Sequence, residues 1–199
     1  MMCSGTDYDA SQTSLYVCGD PRLGPAKVPF LFDYPLETLW GAWSNYHRFG
    51  GLCPGEFLRR YYNSPTNSSK SGSWIYPTFA GYLLDTTGDP VTAEITLERG
   101  TLLDRFGSEY GTYMSPAGTP YMQRSLPPTN LNAPPDTMYP SNYRVYEVAE
   151  PVPGVMAGPI APWFGQMGLG LQFRVPGSVA DMVNQGFLVR LNLTADPDW

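Results

Sequence analysis

The chain has 199 residues, 21 of them glycine and 21 proline, with 14% aromatic and 15% charged residues and a formal net charge of −6. That length is enough for one domain with its own core, and a 42% hydrophobic fraction excludes global disorder. No run of lysines and arginines points to nucleic acid, and no apolar stretch approaches the roughly 20 residues of a membrane span.

Cys3, Cys18 and Cys53 all fall in the first quarter of the chain. With the sequons Asn67-Ser68-Ser69 and Asn192-Leu193-Thr194 they point to an oxidising compartment, glycosylation and a disulfide within an N-terminal arm. The connectivity is open, and one cysteine is left over. The opening residues lack the charged and apolar regions of a signal peptide, so the expectation is a secreted or cell-surface protein in mature form. Residues 1–88 read as this arm, rich in aromatics. Pro35 opens a predicted helix with Leu36, Leu39, Trp40 and Trp43 on one face, and a second helix is predicted over Glu56–Tyr62. Residues 63–73 read as an exposed loop. Trp40, Trp43, Tyr61 and Tyr62 are more than a helix pair can bury, so the arm is expected to pack on the rest of the chain or across a homodimer.

Order rises after Asp89-Pro90, and residues 89–199 read as a second domain. Val91, Ala93, Ile95 and Leu97 alternate with polar residues, the pattern of a half-buried strand. Residues 142–149, 171–175 and 187–193 are further predicted strands, and 126–136 is a proline-rich loop. Ser178 caps a short helix, with Asp181 at its third position and Gly186 just past its end. Two stretches, Asp104–Pro116 and Gly158–Phe173, mix glycine, proline and aromatics too closely for helix and carry polar residues that break any strand. They read as ligand-holding loops. The fold class is α+β and strand-dominated.

The chemistry is narrowed by what is missing. His47 is the one histidine, the cysteines lack CxxC spacing, and there is no P-loop, so zinc, serine-triad and thioredoxin chemistries have too few parts. The informative residues are Arg105 and Arg124. Guanidinium groups bind phosphates bidentately, and Phe106 and Tyr113 offer faces for a planar base; Gly107 lets backbone approach a ligand. Asp196 and Asp198 near the chain end are candidate ligands for a structural calcium.

The segments LDRFGSEYGTYMSPAGTPYMQRSLPP and YRVYEVAEPVPGVMAGPIAPWFGQMGLGLQF resemble the TNT (necrotising-toxin) family of NAD glycohydrolases, over roughly residues 89–193. The aromatic, disulfide-bearing arm resembles the secreted fungal cell-surface members. The resemblance implies a compact, strand-rich split core related to the ADP-ribosyltransferase fold, and hydrolysis of NAD(P)+ to nicotinamide and ADP-ribose (or its phosphate) with no required cofactor. It assigns Arg105, Phe106 and Gly107 to the nucleotide, Phe106 by stacking, and Tyr113 and Ser115 to the nicotinamide side. Arg124 is assigned to the pyrophosphate and Gln166 to the catalytic position. Glu109 is the nearest carboxylate and a candidate hidden base. Protein ADP-ribosylation is the first alternative, lowered by the lack of a glutamate in WFGQMG. A glycan-binding module is the second, and it expects exposed aromatics without pocket arginines.

Overall fold

The computed structural model describes residues 2–28, 46–64, 72–132 and 142–192. The predicted helix after Pro35, the Asn67 sequon, and Asp196 and Asp198 lie outside the described residues. Among the described residues, two α-helices, α1 (Pro54–Tyr61) and α2 (Val179–Asn184), accompany nine strands. Two short strands, β1 (Tyr62–Asn63) and β2 (Ser73–Trp74), pair with each other. The other seven form one antiparallel sheet: β3 (Ala93–Leu97), β4 (Leu102–Phe106), β5 (Tyr113–Pro116), β6 (Tyr143–Val148), β7 (Val152–Pro159), β8 (Leu171–Arg174) and β9 (Leu188–Arg190), in the order β3-β7-β8-β5-β4-β6-β9. The strand-rich α+β core is therefore what forms.

Three of the seven sheet strands were not expected. In β4, Leu103, Asp104 and Phe106 are all buried, so a carboxylate occupies a position that alternation reserves for an apolar residue. In β5 Met114 and Ser115 are buried neighbours, again without alternation. In β7, Pro153 and Gly154 disguise an eight-residue strand. Of the two expected loops, only 107–112 and 160–170 are loop; their flanks are strand.

The helices start where their caps dictate. Helix α1 begins at Pro54, two residues before the expected Glu56, because proline is pre-set for a first helical position and the Glu56 carboxylate reaches back to the Cys53 N–H at 3.2 Å. In α2 the Asp181 N–H donates to Ser178 Oγ at 3.0 Å and the Ser178 N–H to the Asp181 carboxylate at 3.3 Å, the expected reciprocal cap. Helix α2 lays Val179 and Met182 into the main core with Leu103, Tyr146, Val155 and Phe173.

The arm joins the sheet through aromatics. Phe57, Leu58 and Tyr61 from α1 share a buried cluster with Leu23 and Phe164, edged by Trp74 and Trp163. The ring centroids of Tyr61 and Phe164 are 5.3 Å apart and those of Trp74 and Phe164 5.6 Å, the offset and edge contacts that aromatic pairs prefer. Cys3 and Cys18 form the arm's disulfide, and Cys53 is exposed and unpaired.

Phe164 is fully buried at the centre of this cluster. Phe164→Ala should lower unfolding stability by about 3–5 kcal/mol in chemical denaturation, the usual cost of emptying a buried aromatic site. The exposed Leu15, substituted the same way, should change it by less than about 0.5 kcal/mol.

Candidate active site

Strands β4 and β5 lie side by side, with Asp104 opposite Ser115, and their C-terminal and N-terminal ends open onto a cavity of about 300 Å³. That is within the range of small-ligand sites. Its walls include Arg105, Phe106, Tyr113, Ser115 and Arg124, five of the seven residues expected to bind substrate or act on it. Gly107 and Gln166 are not among the lining residues.

Asp104 holds the floor. It is fully buried and accepts bonds from Arg124 Nη1 at 2.5 Å and Nη2 at 2.7 Å, the Tyr143 hydroxyl at 2.9 Å and the Gly118 N–H at 2.9 Å. Arg124 adds two donations to the Thr119 carbonyl, so its guanidinium is locked by a planar fork of partners. Burial, with the negative charge of Asp104 next, raises the Tyr143 hydroxyl far above its ordinary value and keeps it a donor. Phe106 does not present a free stacking face: it is buried, packed edge-on against Tyr121 at 4.9 Å, with Arg124 over its ring at 5.2 Å.

Arg105 is differently placed. Its Nε donates to the Ser108 carbonyl at 2.6 Å and Nη1 to the Tyr113 carbonyl at 2.5 Å, so it shapes the loop between β4 and β5. A Cβ at Gly111 would collide with Arg105 Nη2, which explains the glycine there. Among the described residues no carboxylate comes within ion-pair distance of Arg105. Burial pulls its pKa below the ordinary arginine value. A partly desolvated cation without a carboxylate partner is a prepared position for an anion.

Gly107 has φ 105° and turns the chain out of β4; its carbonyl accepts from Arg144 at 3.0 Å, outside the cavity. Glu109 is also elsewhere. Its carboxylate accepts from Tyr146 at 2.6 Å and from Arg190 at 2.7 and 2.9 Å. Burial opposes ionisation, but the bonds from Arg190 and Tyr146 outweigh it and hold the carboxyl below its ordinary value. Glu109 is thus a clasp between the 107–112 loop, β6 and β9, with no place in the cavity.

Gln166 is buried in the 163–168 turn, and its Nε2 donates to the His47 carbonyl at 2.9 Å. Beside it Gly165 and Gly50 pack backbone to backbone, so closely that a Cβ on either would overlap the other. The FGQMG segment therefore docks the 46–50 segment onto the sheet. The glutamine that lines the cavity is Gln172, at the second position of β8. Sequence reading passed over it because GLGLQF looked like the end of a loop; the signal was the next glutamine along, in the predicted strand 171–175.

A curled antiparallel sheet whose cleft carries two arginines, aromatic walls and a side-chain amide, with its one carboxylate already paired, defines an α+β domain of the kind that takes an anionic ligand with a planar ring. The sequence profile described as "Tuberculosis necrotizing toxin" matches residues 96–191. The conidial surface nicotinamide adenine dinucleotide glycohydrolase of Aspergillus fumigatus is 47% identical over 191 residues, covering 96% of this chain and 76% of that protein. The tuberculosis necrotizing toxin, solved in complex with its immunity factor, superposes with a TM-score of 0.50 at 22% identity, over 67% of this chain and 68% of the toxin chain. The chain belongs to the tuberculosis necrotizing toxin family.

Removing Arg124 leaves Asp104 charged and buried without its counter-ion. Arg124→Ala should therefore cost about 3–5 kcal/mol of stability, read as a lowered denaturation midpoint, besides any effect on turnover. Glu109 gives a pH prediction of opposite origin. Its folded pKa lies below the ordinary 4.5, so the stability it contributes is present above that value and lost as pH falls through the folded pKa. Hydrogen exchange of the 107–112 amides should speed up on acidification below about pH 4, and Arg190→Ala should shift that loosening to higher pH.

Proposed function

We infer that this protein hydrolyses NAD+ to nicotinamide and ADP-ribose, with NADP+ as a chemically equivalent substrate at the reacting bond. The observation that carries this reading is the pairing of two unlike guanidinium groups in one cleft: Arg124 neutralised and fixed by Asp104, and Arg105 half-buried with no carboxylate at ion-pair distance among the described residues. The 47% identity to a nicotinamide adenine dinucleotide glycohydrolase supports it. A dinucleotide offers a pyrophosphate for the guanidinium forks and flat rings for Tyr113 and the other aromatic walls.

The chemistry suits a site whose lining carboxylate among the described residues, Asp104, is already paired with Arg124. The C1′–N bond breaks with its electron pair going to the nicotinamide ring, which is cationic before and neutral after, so no proton need be delivered to the leaving group. The sugar passes through an oxocarbenium-like transition state, and water adds at C1′ and gives its proton to solvent. What the protein supplies is position and electrostatics. Arg105 and Arg124 hold the pyrophosphate, Tyr113 and Ser115 stand on the nicotinamide side, and we place Gln172, in the lining, in the role that the family resemblance assigns to Gln166. An amide is a weak base but a competent hydrogen-bond partner for a ribose hydroxyl or the attacking water. Two cleft arginines do not suit a glycan-binding module.

The conidial-surface relative and the Cys3–Cys18 disulfide favour a secreted or cell-surface site of action. Among the described residues no helix is long and apolar enough to cross a membrane.

Incubation of the protein with NAD+ and no acceptor should release free ADP-ribose and nicotinamide, seen by chromatography; intact NAD+ would remove the reading. Arg105→Ala should raise KM for NAD+ at least about tenfold, more than it lowers kcat, because an anion contact made in ground and transition states alike is lost.

A further inference from the structure

Residues 76–81 precede the family match at 96–191, yet Tyr76, Pro77, Ala80 and Gly81 form one wall of the cleft. The turn in that wall is strained. Phe79, Ala80 and Gly81 all lie in the left-handed region, with φ of 51°, 58° and 79°, and only glycine goes there without steric penalty. The turn is held by its surroundings: the Gly81 N–H donates to the Thr78 carbonyl at 3.0 Å, the Tyr82 N–H to the Phe79 carbonyl at 3.2 Å, and the Ala161 N–H to the Gly81 carbonyl at 2.9 Å. Strain that the fold maintains in this way concentrates at functional sites.

Its geometric product is an aimed carbonyl. The Ala80 carbonyl accepts from Gln172 Nε2 at 3.0 Å. A carbonyl can only accept, so Ala80 demands the amide N–H side, and a flip of the amide would set its oxygen against the Ala80 oxygen.

We propose that the strained Phe79–Gly81 turn is a positioning device that fixes Gln172 with its Oε1 towards the cleft, as a hydrogen-bond acceptor for the ribose hydroxyl or the water at the reacting carbon. This rests on the NAD+-hydrolysis reading above. It makes the segment ahead of the family match part of the catalytic apparatus, and it assigns the amide its polarity: N–H for the protein, C=O for the substrate.

Gln172→Glu separates this from a generic polar role. Ionised, the new carboxylate has no hydrogen for Ala80 and faces a carbonyl; protonated, it donates to Ala80 and keeps an acceptor oxygen for the cleft. The groups around it are Tyr82, Tyr113 and Arg174, with Tyr76, Arg105 and the Arg124–Asp104 pair in the cleft. None has an ordinary pKa between about 7 and 5, so a change there in the variant-to-wild-type ratio belongs to the new carboxyl. The expected result is a kcat at pH 7 lowered about tenfold or more with KM changed under about threefold, and a ratio that recovers as pH falls from about 7 to 5. A ratio that is flat, or that rises with pH as a carboxylate base would require, overturns the proposal. A second cycle tests the turn itself. Ala80→Val cannot keep the left-handed conformation, and it should lower kcat about tenfold in the wild-type background but under about twofold in the Gln172→Ala background. Losses that multiply overturn the proposal, and if Ala80→Val does not fold the pH profile still decides. Wild-type protein that releases no ADP-ribose removes the underlying reading before any variant is made.

Discussion

The site depends on one buried ion pair. Asp104 sits in the middle of β4 with no solvent, and four donors meet its carboxylate: one arm of the Arg124 fork at Oδ1, and the other arm, the Tyr143 hydroxyl and the Gly118 amide at Oδ2. Two charges this deep pay heavily in lost hydration, and the pair is tolerable only because its hydrogen bonds are complete. The return is geometric. The pair ties β4, β6 and the 118–124 segment to one point, which sets the cleft floor and leaves Arg124 with a fixed orientation rather than a free charge.

Around that floor the two arginines divide the electrostatic work. Arg124 is close to neutral as a pair and acts as a rigid donor surface over the Phe106 ring. Arg105 donates to the carbonyls of Ser108 and Tyr113 and has no carboxylate at ion-pair distance among the described residues. The Glu109 clasp with Arg190 and Tyr146 anchors the loop from the other side, so the 107–112 segment is held between an inner cation and an outer anion. A family relationship to glycohydrolases and a cleft whose lining carboxylate among the described residues is already paired then agree, because the departing nicotinamide asks for orientation and charge placement rather than for a proton.

The N-terminal half is integral to this arrangement. Its aromatics interlock with Trp163 and Phe164, its 46–50 segment receives the 163–168 turn, and its 76–81 segment walls the cleft. Tyr61 packs within the described chain as the sequence expected, on Trp163 and Phe164, and Tyr62 packs on Trp74.

The sequence by itself determined what depends on local chemistry and short-range pattern. The alternation at 93–97, the Ser178–Asp181 cap and the Gly186 stop were all legible, because each follows from residue type and spacing over a few positions. Tertiary structure decided the rest. Strand β4 was hidden because a buried Asp104 breaks alternation, and only a distant Arg124 makes that burial tolerable. Phe106, read as a stacking face, became a buried support because Tyr121 and Tyr143 close over it. Gln166, which the sequence reading named, and Gln172, which it did not, differ by position alone: six residues apart and chemically identical, one is tethered to the His47 carbonyl 119 positions away and the other lines the cleft from β8. Which glutamine faces a ligand depends on where the sheet curls and what packs behind each side chain, and one-dimensional spacing does not contain that information.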